Sequence, residues 1–224
     1  MSLLLEEVSI EIKSSEKEDP SRKQLIRNMT LEIESGKTAT VMGPSGSGKS
    51  TLLSVICGTQ DSAFHVTGSI SLNGRLLDGL APEKRRIGIL FQDDLLFPHL
   101  TVGENLEFAL PKKYRKQERQ SIVEKALKAI ELEAYMNADS ARISGGQRAR
   151  VSLMRTLLAE PEALVLDEPF SKLDQDLRSR FRTFVFEHAR QRNLPVLLVT
   201  HDLADAEAAG GPVIYLMYSA CMET

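Results

Sequence analysis

Eight residues, Gly43-Pro44-Ser45-Gly46-Ser47-Gly48-Lys49-Ser50, constrain this chain more than any other feature. Glycines at three of the eight positions give the backbone access to conformations closed to other residues, so consecutive N–H groups can turn inward around a single anion. The apolar run Thr38–Met42 precedes them and a helical run, residues 50–57 closed by Gly58, follows. A loop with Gly, four residues, then Gly-Lys-Ser, set between a strand and a helix, is the phosphate-binding loop pattern in the context its mechanism requires. In that mechanism Lys49 reaches the β- and γ-phosphates and the Ser50 hydroxyl a Mg²⁺ ion, so residues 43–50, with Thr51 beside them, are candidate nucleotide-binding residues. The bland alternative is a glycine-rich turn with a stray lysine.

The rest of the chain supplies the framework such a loop needs. Residues 3–12 and 25–33 alternate apolar and polar with period two, which predicts a hairpin, and the polar stretch between Lys13 and Lys23, with Pro20, predicts a long exposed loop. Further strands are predicted at 69–72, 86–91, 163–166, 195–200 and 213–216, most of them flanked by helical patterns. Such alternation implies an α/β fold with a largely parallel sheet. From about Thr101 to Glu160 the pattern changes to helices at 102–109, 117–130 and 147–159 with no strand, which predicts an inserted helical subdomain.

Two other places carry chemistry. The buried-strand run Ala163-Leu164-Val165-Leu166 ends on adjacent carboxylates, Asp167 and Glu168. Carboxylates there must find a cation, a donor or solvent. Behind a phosphate loop the first suits a Mg²⁺ ligand and the second a general base for the attacking water; alone, the pair would be a solvated turn. Ser144-Gly145-Gly146-Gln147 stands immediately before a helical run, where bare N–H groups and a serine hydroxyl make either a second anion site or an ordinary N-cap.

Composition narrows the function classes. The 224 residues are 42% apolar and 26% charged, with a net charge of -3, so there is ample core and no basic field to gather a nucleic-acid backbone. No apolar run is long enough to cross a bilayer, and the start, MSLLLEEVSIEIK, puts acids where a signal peptide wants Lys or Arg, so a cytoplasmic location is expected. Cys57 in a helical run and Cys221 in the tail are read as small hydrophobes in a reducing compartment.

Taken in order, the phosphate loop, Gln92, Ser144-Gly145-Gly146-Gln147, Asp167-Glu168, Ser171-Lys172-Leu173-Asp174 and His201 resemble the ABC ATPase family over residues 3–216, nearly the whole chain. The resemblance implies a P-loop NTPase (RecA-like) α/β core from residues 1–92 and 161–224, with a small N-terminal antiparallel β subdomain and an inserted helical subdomain at about 93–160. It implies ATP and Mg²⁺ as ligands, with Ser50, Gln92 and Asp167 at the metal and Glu168, His201 and Gln92 as catalytic residues. It further implies that the motif from Ser144 to Gln147 closes in trans on ATP held by a second copy, with Asp174 at that homodimer interface. Integral membrane permease subunits would dock near Leu95, Leu96 and Phe97, peripherally on the cytoplasmic face. The segment Leu100-Thr101-Val102-Gly103-Glu104-Asn105 looks most like bacterial importers served by a solute-binding protein.

Two departures stand out. The aromatic residue that usually stacks on adenine has Ile12 in its place, and no Tyr, Phe or Trp occurs before Phe64, so apolar contact with loose base selectivity is expected. Ile143 replaces the usual leucine, a volume-conserving change. The alternatives are an exporter ATPase or a soluble ABC ATPase acting on a macromolecule; the latter usually carries two cassettes, a coiled coil or a basic surface.

Overall fold

The computed structural model describes residues 2–13 and 24–217. Nearly all of the loop expected between Lys13 and Lys23, and Cys221, lie outside the described residues.

β1 (Ser2–Ile12) and β2 (Gln24–Glu34) pair antiparallel, as their alternation predicts, with Leu3 opposite Ile33 and Leu5 opposite Leu31. After β3 (Thr38–Met42) and α1 (Lys49–Cys57) comes β4 (Phe64–Leu72), which begins five residues earlier than its alternation suggests. Val66 is its last apolar residue before the polar Thr67-Gly68-Ser69, and pairing with β1 rather than side-chain pattern carries the strand through them. β5 (Arg75–Leu76) completes a four-stranded antiparallel sheet in the order β2-β1-β4-β5.

The second sheet is parallel. α2 (Pro82–Arg85) leads into β6 (Ile87–Leu90), then α3 (Val102–Ala109), α4 (Lys116–Ala129), a 3₁₀ turn at Glu133–Tyr135 and α5 (Gly145–Leu158). β7 (Ala163–Asp167), α6 (Gln175–Gln191), β8 (Val196–Val199), α7 (Leu203–Ala209) and β9 (Val213–Tyr215) finish the chain. The order is β6-β7-β8-β3-β9. The strands β3, β7 and β8 are buried at every position, which is why they are predominantly apolar, with Thr38 and Thr40 in β3 and the terminal Asp167 in β7 the polar members.

Their side chains divide between two cores by the strand period of two. Leu164, Leu166, Val196 and Leu198 face a cluster built with α3, α4, α5 and α6. Ala163, Val165, Leu197, Val199 and Val41 face a cluster built with α1 and the antiparallel sheet. The parallel sheet is therefore the middle layer. Within the sequence segment that separates β6 from β7, the only strand-like pairing among the described residues is a single bridge, Thr101 to Asp139.

α1 ends where Gly58 turns left-handed at φ 75°, and a side chain there would strike Arg85. Arg85, 5% exposed, donates from Nη1 to the carbonyls of Val55 and Ile56, both at 2.8 Å, and from Nε to Leu80 O at 3.0 Å. It adds side-chain donors to the carbonyl end of the helix that carries the phosphate loop, where Gly58 N also reaches Val55 O and Thr59 N reaches Ser54 O. Burial pushes the Cys57 thiol beside it up to about 12, so Cys57 is an inert core side chain. Arg85→Met keeps most of the volume but strands buried carbonyls, and is expected to cost about 2–4 kcal/mol. Urea unfolding measures this; a loss below about 1 kcal/mol would reject the capping role.

Candidate active site

The parallel strands all end on one edge, and a cleft of about 480 Å³ opens there. From β3 comes the glycine-rich loop. Gly43 (φ 154°) has the Leu216 carbonyl where its side chain would go, and Gly46 (φ 79°) and Gly48 (φ 94°) take left-handed turns. Only glycine fits these three positions without strain. The loop delivers the N-terminus of α1, Lys49 to Cys57, to the floor of the cleft with no side chain capping it.

Polar groups in and beside this loop suit an anionic ligand. Lys49 Nζ donates to Gly43 O and Pro44 O, both at 2.8 Å, so its charge is held by carbonyls alone. The Ser47 hydroxyl is buried with no hydrogen-bond partner among the described residues. Ser45 and Thr51 line the same cleft. Phosphate oxygens would accept from the lysine, whereas buried Ser47 is not among the residues lining the cleft.

Opposite the loop, Ser50 Oγ donates to Asp167 Oδ2 at 3.1 Å. Asp167 is 9% exposed; burial pushes its carboxyl above the ordinary value, Glu168 adds to the push, and the Ser50 hydroxyl and Lys49 ammonium oppose it. A hydroxyl and a buried carboxylate without a full counter-charge are donors of the right chemistry for Mg²⁺, which needs few protein ligands when phosphates supply others.

Glu168 follows in a left-handed conformation (φ 48°), unusual for a residue with a long side chain and a sign of strain retained at a site. Its N–H donates to Val199 O at 2.9 Å, and its carboxylate Oε1 lies 2.7 Å from His201 Nδ1. The histidine is largely exposed whereas the glutamate is 12% exposed at its side chain. Gln92, just beyond β6, also lines the cleft.

Sequence reasoning missed several residues here. Leu25, on β2, lines the cleft and sits over Gly48, whereas Ile12 is paired with Phe64 in the β1–β4 ladder and is not among the lining residues. Only the fold brings Leu25 to the loop. Ser171 lines the cleft as well, and Thr200 contacts Glu168 Oε2 at 3.4 Å.

Ser144 to Gln147 does not line the cleft. Ser144 caps α5: its Oγ accepts from Gln147 N at 3.2 Å and Gln147 Oε1 accepts from Ser144 N at 2.8 Å, leaving both residues partly or fully open to solvent. Asp174 is exposed and caps α6, accepting from Leu177 N at 3.0 Å. Asp94 ties the segment after Gln92 to these places through Arg148 and Lys172, each at 3.4 Å. Leu95, Phe97 and Phe108 border a shallow groove of about 310 Å³, and Arg155 donates to Leu95 O at 2.9 Å. Buried Asn105 holds that segment by accepting from Phe97 N and donating to Phe97 O, Leu100 O and Thr101 O.

A glycine-rich loop on a parallel sheet, with an acidic strand end facing it, defines a P-loop nucleotide-binding protein. The ABC transporter profile matches residues 26–171, and the chain belongs to that family. It is 48% identical over 185 residues to the ABC transporter ATP-binding protein YnjD of Escherichia coli, covering 83% of this chain and 85% of that one. The thiamine import ATP-binding protein ThiQ of Vibrio vulnificus is 41% identical over 187 residues, covering 83% and 79%. The Fe(3+) ions import ATP-binding protein FbpC of Fusobacterium nucleatum is 40% identical over 185 residues, 82% of this chain but 49% of that longer one. Among solved structures, the dimeric ABC transporter cassette MJ0796 superposes with a TM-score of 0.82 at 31% identity, covering 96% and 94%. A post-hydrolysis state of the same cassette, bound to ADP and Pi, gives 0.82 at 29%. The protein is an ATPase of this family.

The raised Asp167 carboxyl has a consequence for the ligand-free chain. A folded-state pKa above the unfolded one means the folded state holds the proton more tightly, so the penalty is absent below the unfolded pKa and fully present above the folded one. At neutral pH Asp167→Asn, which can still accept from Ser50, is expected to raise the thermal midpoint by roughly 1–4 °C while lowering ATPase activity. Scanning fluorimetry without nucleotide tests this, and an unchanged or lower midpoint would refute it.

Proposed function

We propose that this chain is the ATP-hydrolysing subunit of a solute importer. It works as a homodimer on the cytoplasmic face of the membrane, bound to integral permease subunits and served by a solute-binding protein. The observation that carries the reading is the cleft itself, where Lys49, Ser50, Asp167, Glu168 and His201 converge from three separated parts of the sequence. The similarity to ThiQ and FbpC supports import of a small solute. Among the described residues no helix is long and apolar enough to cross a membrane, so on this reading the solute path belongs to other chains.

In this scheme residues 43–51 grip the triphosphate, with backbone N–H groups and Lys49 on the β- and γ-phosphates. Ser50, Asp167 and Gln92 would hold Mg²⁺, which when bound neutralises phosphate charge. Glu168 takes the proton of the attacking water. His201, bonded to Glu168 Oε1, fixes that carboxylate and reaches the γ-phosphate. Leu25 gives the base an apolar wall in place of an aromatic platform. Residues 1–92 and 161–224 act as the nucleotide core and 93–160 as the helical subdomain. Ser144 to Gln147, outside this cleft and open to solvent, serves the cleft of the second copy, and Asp174 lies at the interface between them.

Glu168→Gln removes the base while keeping size and hydrogen-bonding capacity, so ATP should stay trapped between two protomers. Sedimentation is expected to give a dimer with ATP and a monomer without it, and adding Ser144→Arg should abolish the ATP-bound dimer. A monomer under both conditions would refute the trans arrangement.

Leu95 is 58% and Phe108 66% exposed, an apolar surface with no cover of its own. Leu95→Asp with Phe97→Ser is expected to weaken attachment to reconstituted permease subunits by about tenfold or more, with ATP hydrolysis by the free chain within about twofold of the parent. Equal retention of variant and parent on those subunits would reject the docking role.

A further inference from the structure

The Glu168 carboxylate is held at both oxygens, and only one of its holders belongs to the residues assigned above. Oε1 meets His201, and Oε2 lies 3.4 Å from Thr200 Oγ1. Thr200 is fully buried at the end of β8, so its hydroxyl cannot turn to solvent. Asp202 N donates to Thr200 Oγ1 at 3.1 Å, and the single hydroxyl hydrogen is left with two carboxylate acceptors, Asp205 Oδ2 at 3.1 Å and Glu168 Oε2. Asp205 is itself 2% exposed on the first turn of α7 and is paired with Arg182 of α6, Nη1 to Oδ1 at 3.1 Å. A second arginine one helical turn earlier, Arg178, holds the two ends of the same segment: Nη1 to Asp202 Oδ2 at 2.6 Å and Nη2 to Ser171 O at 3.3 Å. Ser171 in turn donates through Oγ and N to the Glu168 carbonyl.

A buried threonine and aspartate with a half-buried arginine in series have an alternative, a plain hydrophobic core of the same volume, which would be no less stable. They carry charge into the interior at the one place where it touches the side chain assigned as base. Burial pushes the Asp205 carboxyl above its ordinary value, with Asp202 adding to the push, while the Thr200 hydroxyl, Arg182 and Arg178 draw it back.

We infer that Arg182, Asp205 and Thr200 form a positioning relay that fixes the Glu168 carboxylate for water activation, so that α6 sets the geometry of hydrolysis without touching ATP. The inference rests on the assignment of Glu168 as base. Arg182 anchors Asp205 and draws on its negative charge, so that the one Thr200 hydrogen, between Asp205 Oδ2 at 3.1 Å and Glu168 Oε2 at 3.4 Å, is shared with Oε2 while His201 holds Oε1. Because Asp174 caps α6, a displacement of that helix would be passed to the base through Arg182 and Asp205.

Steady-state ATP hydrolysis by the purified full chain tests this. Thr200→Val, which keeps shape and removes the hydroxyl, and Asp205→Asn are each expected to lower kcat by roughly tenfold to a hundredfold with KM for ATP within about twofold, since misplacement of a reacting group costs rate rather than binding. Residues acting in series are not additive, so the Thr200→Val/Asp205→Asn double variant is expected to lose no more than the worse single one. Thr200→Ser, which retains the hydroxyl, is expected to recover most of the rate, and this distinguishes loss of the hydroxyl from loss of fold. The relay is overturned if Thr200→Val turns over within twofold of the parent, if KM rises in place of the fall in kcat, if the two losses multiply, or if Thr200→Ser is as slow as Thr200→Val. Glu168→Gln is measured alongside: parent-like turnover there would remove the base assignment and the relay together, whereas an inactive Glu168→Gln with an unaffected Thr200→Val removes the relay alone.

Discussion

Everything in the cleft depends on the register of a parallel ladder. Val41 pairs with Val199 and Val199 with Asp167, while Leu90 pairs with Leu166, so β3, β8, β7 and β6 finish abreast. Parallel strands buried on both faces carry no charged side chain along their length, only apolar ones and, in β3, the buried Thr38 and Thr40. Polar chemistry is pushed to the strand ends, and a shared register makes those ends one place. The glycine-rich loop, Thr200 and His201, Asp167 and Glu168, and Gln92 are neighbours for that reason and no other. A slip of one residue in any strand would turn its apolar residues to the wrong core and withdraw its contribution from the cleft.

The same constraint explains what the sequence made legible. Ala163-Leu164-Val165-Leu166 is unmistakable because two-faced burial demands an apolar run, Thr38–Met42 follows the same rule with two small threonines, and the loops after them stand out because glycines and paired acids break those runs abruptly. α6 was not distinguished as an element, although Phe181, Val185 and Ala189 recur every four residues, because seven charged or imidazole side chains among them, such as Arg178, Arg180 and Arg182, mask the stripe. Its arginines gain meaning only from partners more than twenty residues away, Asp202 and Asp205. Leu25 was invisible for the same reason: nothing local marks a β2 residue as the neighbour of Gly48. Contacts of this kind follow from tertiary placement, which pattern and propensity do not encode.

Layering also gives the two faces of the parallel sheet different work. On one face the antiparallel sheet and α1 pack as a single core behind the phosphate loop, which makes that side a rigid cradle. On the other, α3, α4, α5 and α6 share a core with the alternate residues of β7 and β8. The segment after Gln92 joins them at the surface, where Asp94 bridges Arg148 at the start of α5 and Lys172 in the loop behind Glu168. A displacement at Leu95 is thus three residues or fewer from contacts that reach Gln92, the Ser144 helix and the Glu168 loop. Such partly exposed ion pairs contribute little to stability, and their value lies in geometry.

The site is assembled at a cost to the ligand-free fold. Glu168 holds a left-handed backbone, Leu95 another at φ 42°, the Ser47 hydroxyl is buried without a partner, and Asp167 is buried without a full counter-charge. Each such feature costs on the order of 1–3 kcal/mol, and two well-packed cores are what allow the chain to carry them together. One of the four, the uncompensated charge of Asp167, is of a kind that a nucleotide bound with its cation would relieve. Because only the folded state can be so relieved, nucleotide binding and stability are coupled, with each logarithmic unit of ligand above its dissociation constant adding about 1.4 kcal/mol. The strain at the ends of the parallel strands is therefore the means by which occupancy of the cleft is felt by the whole domain.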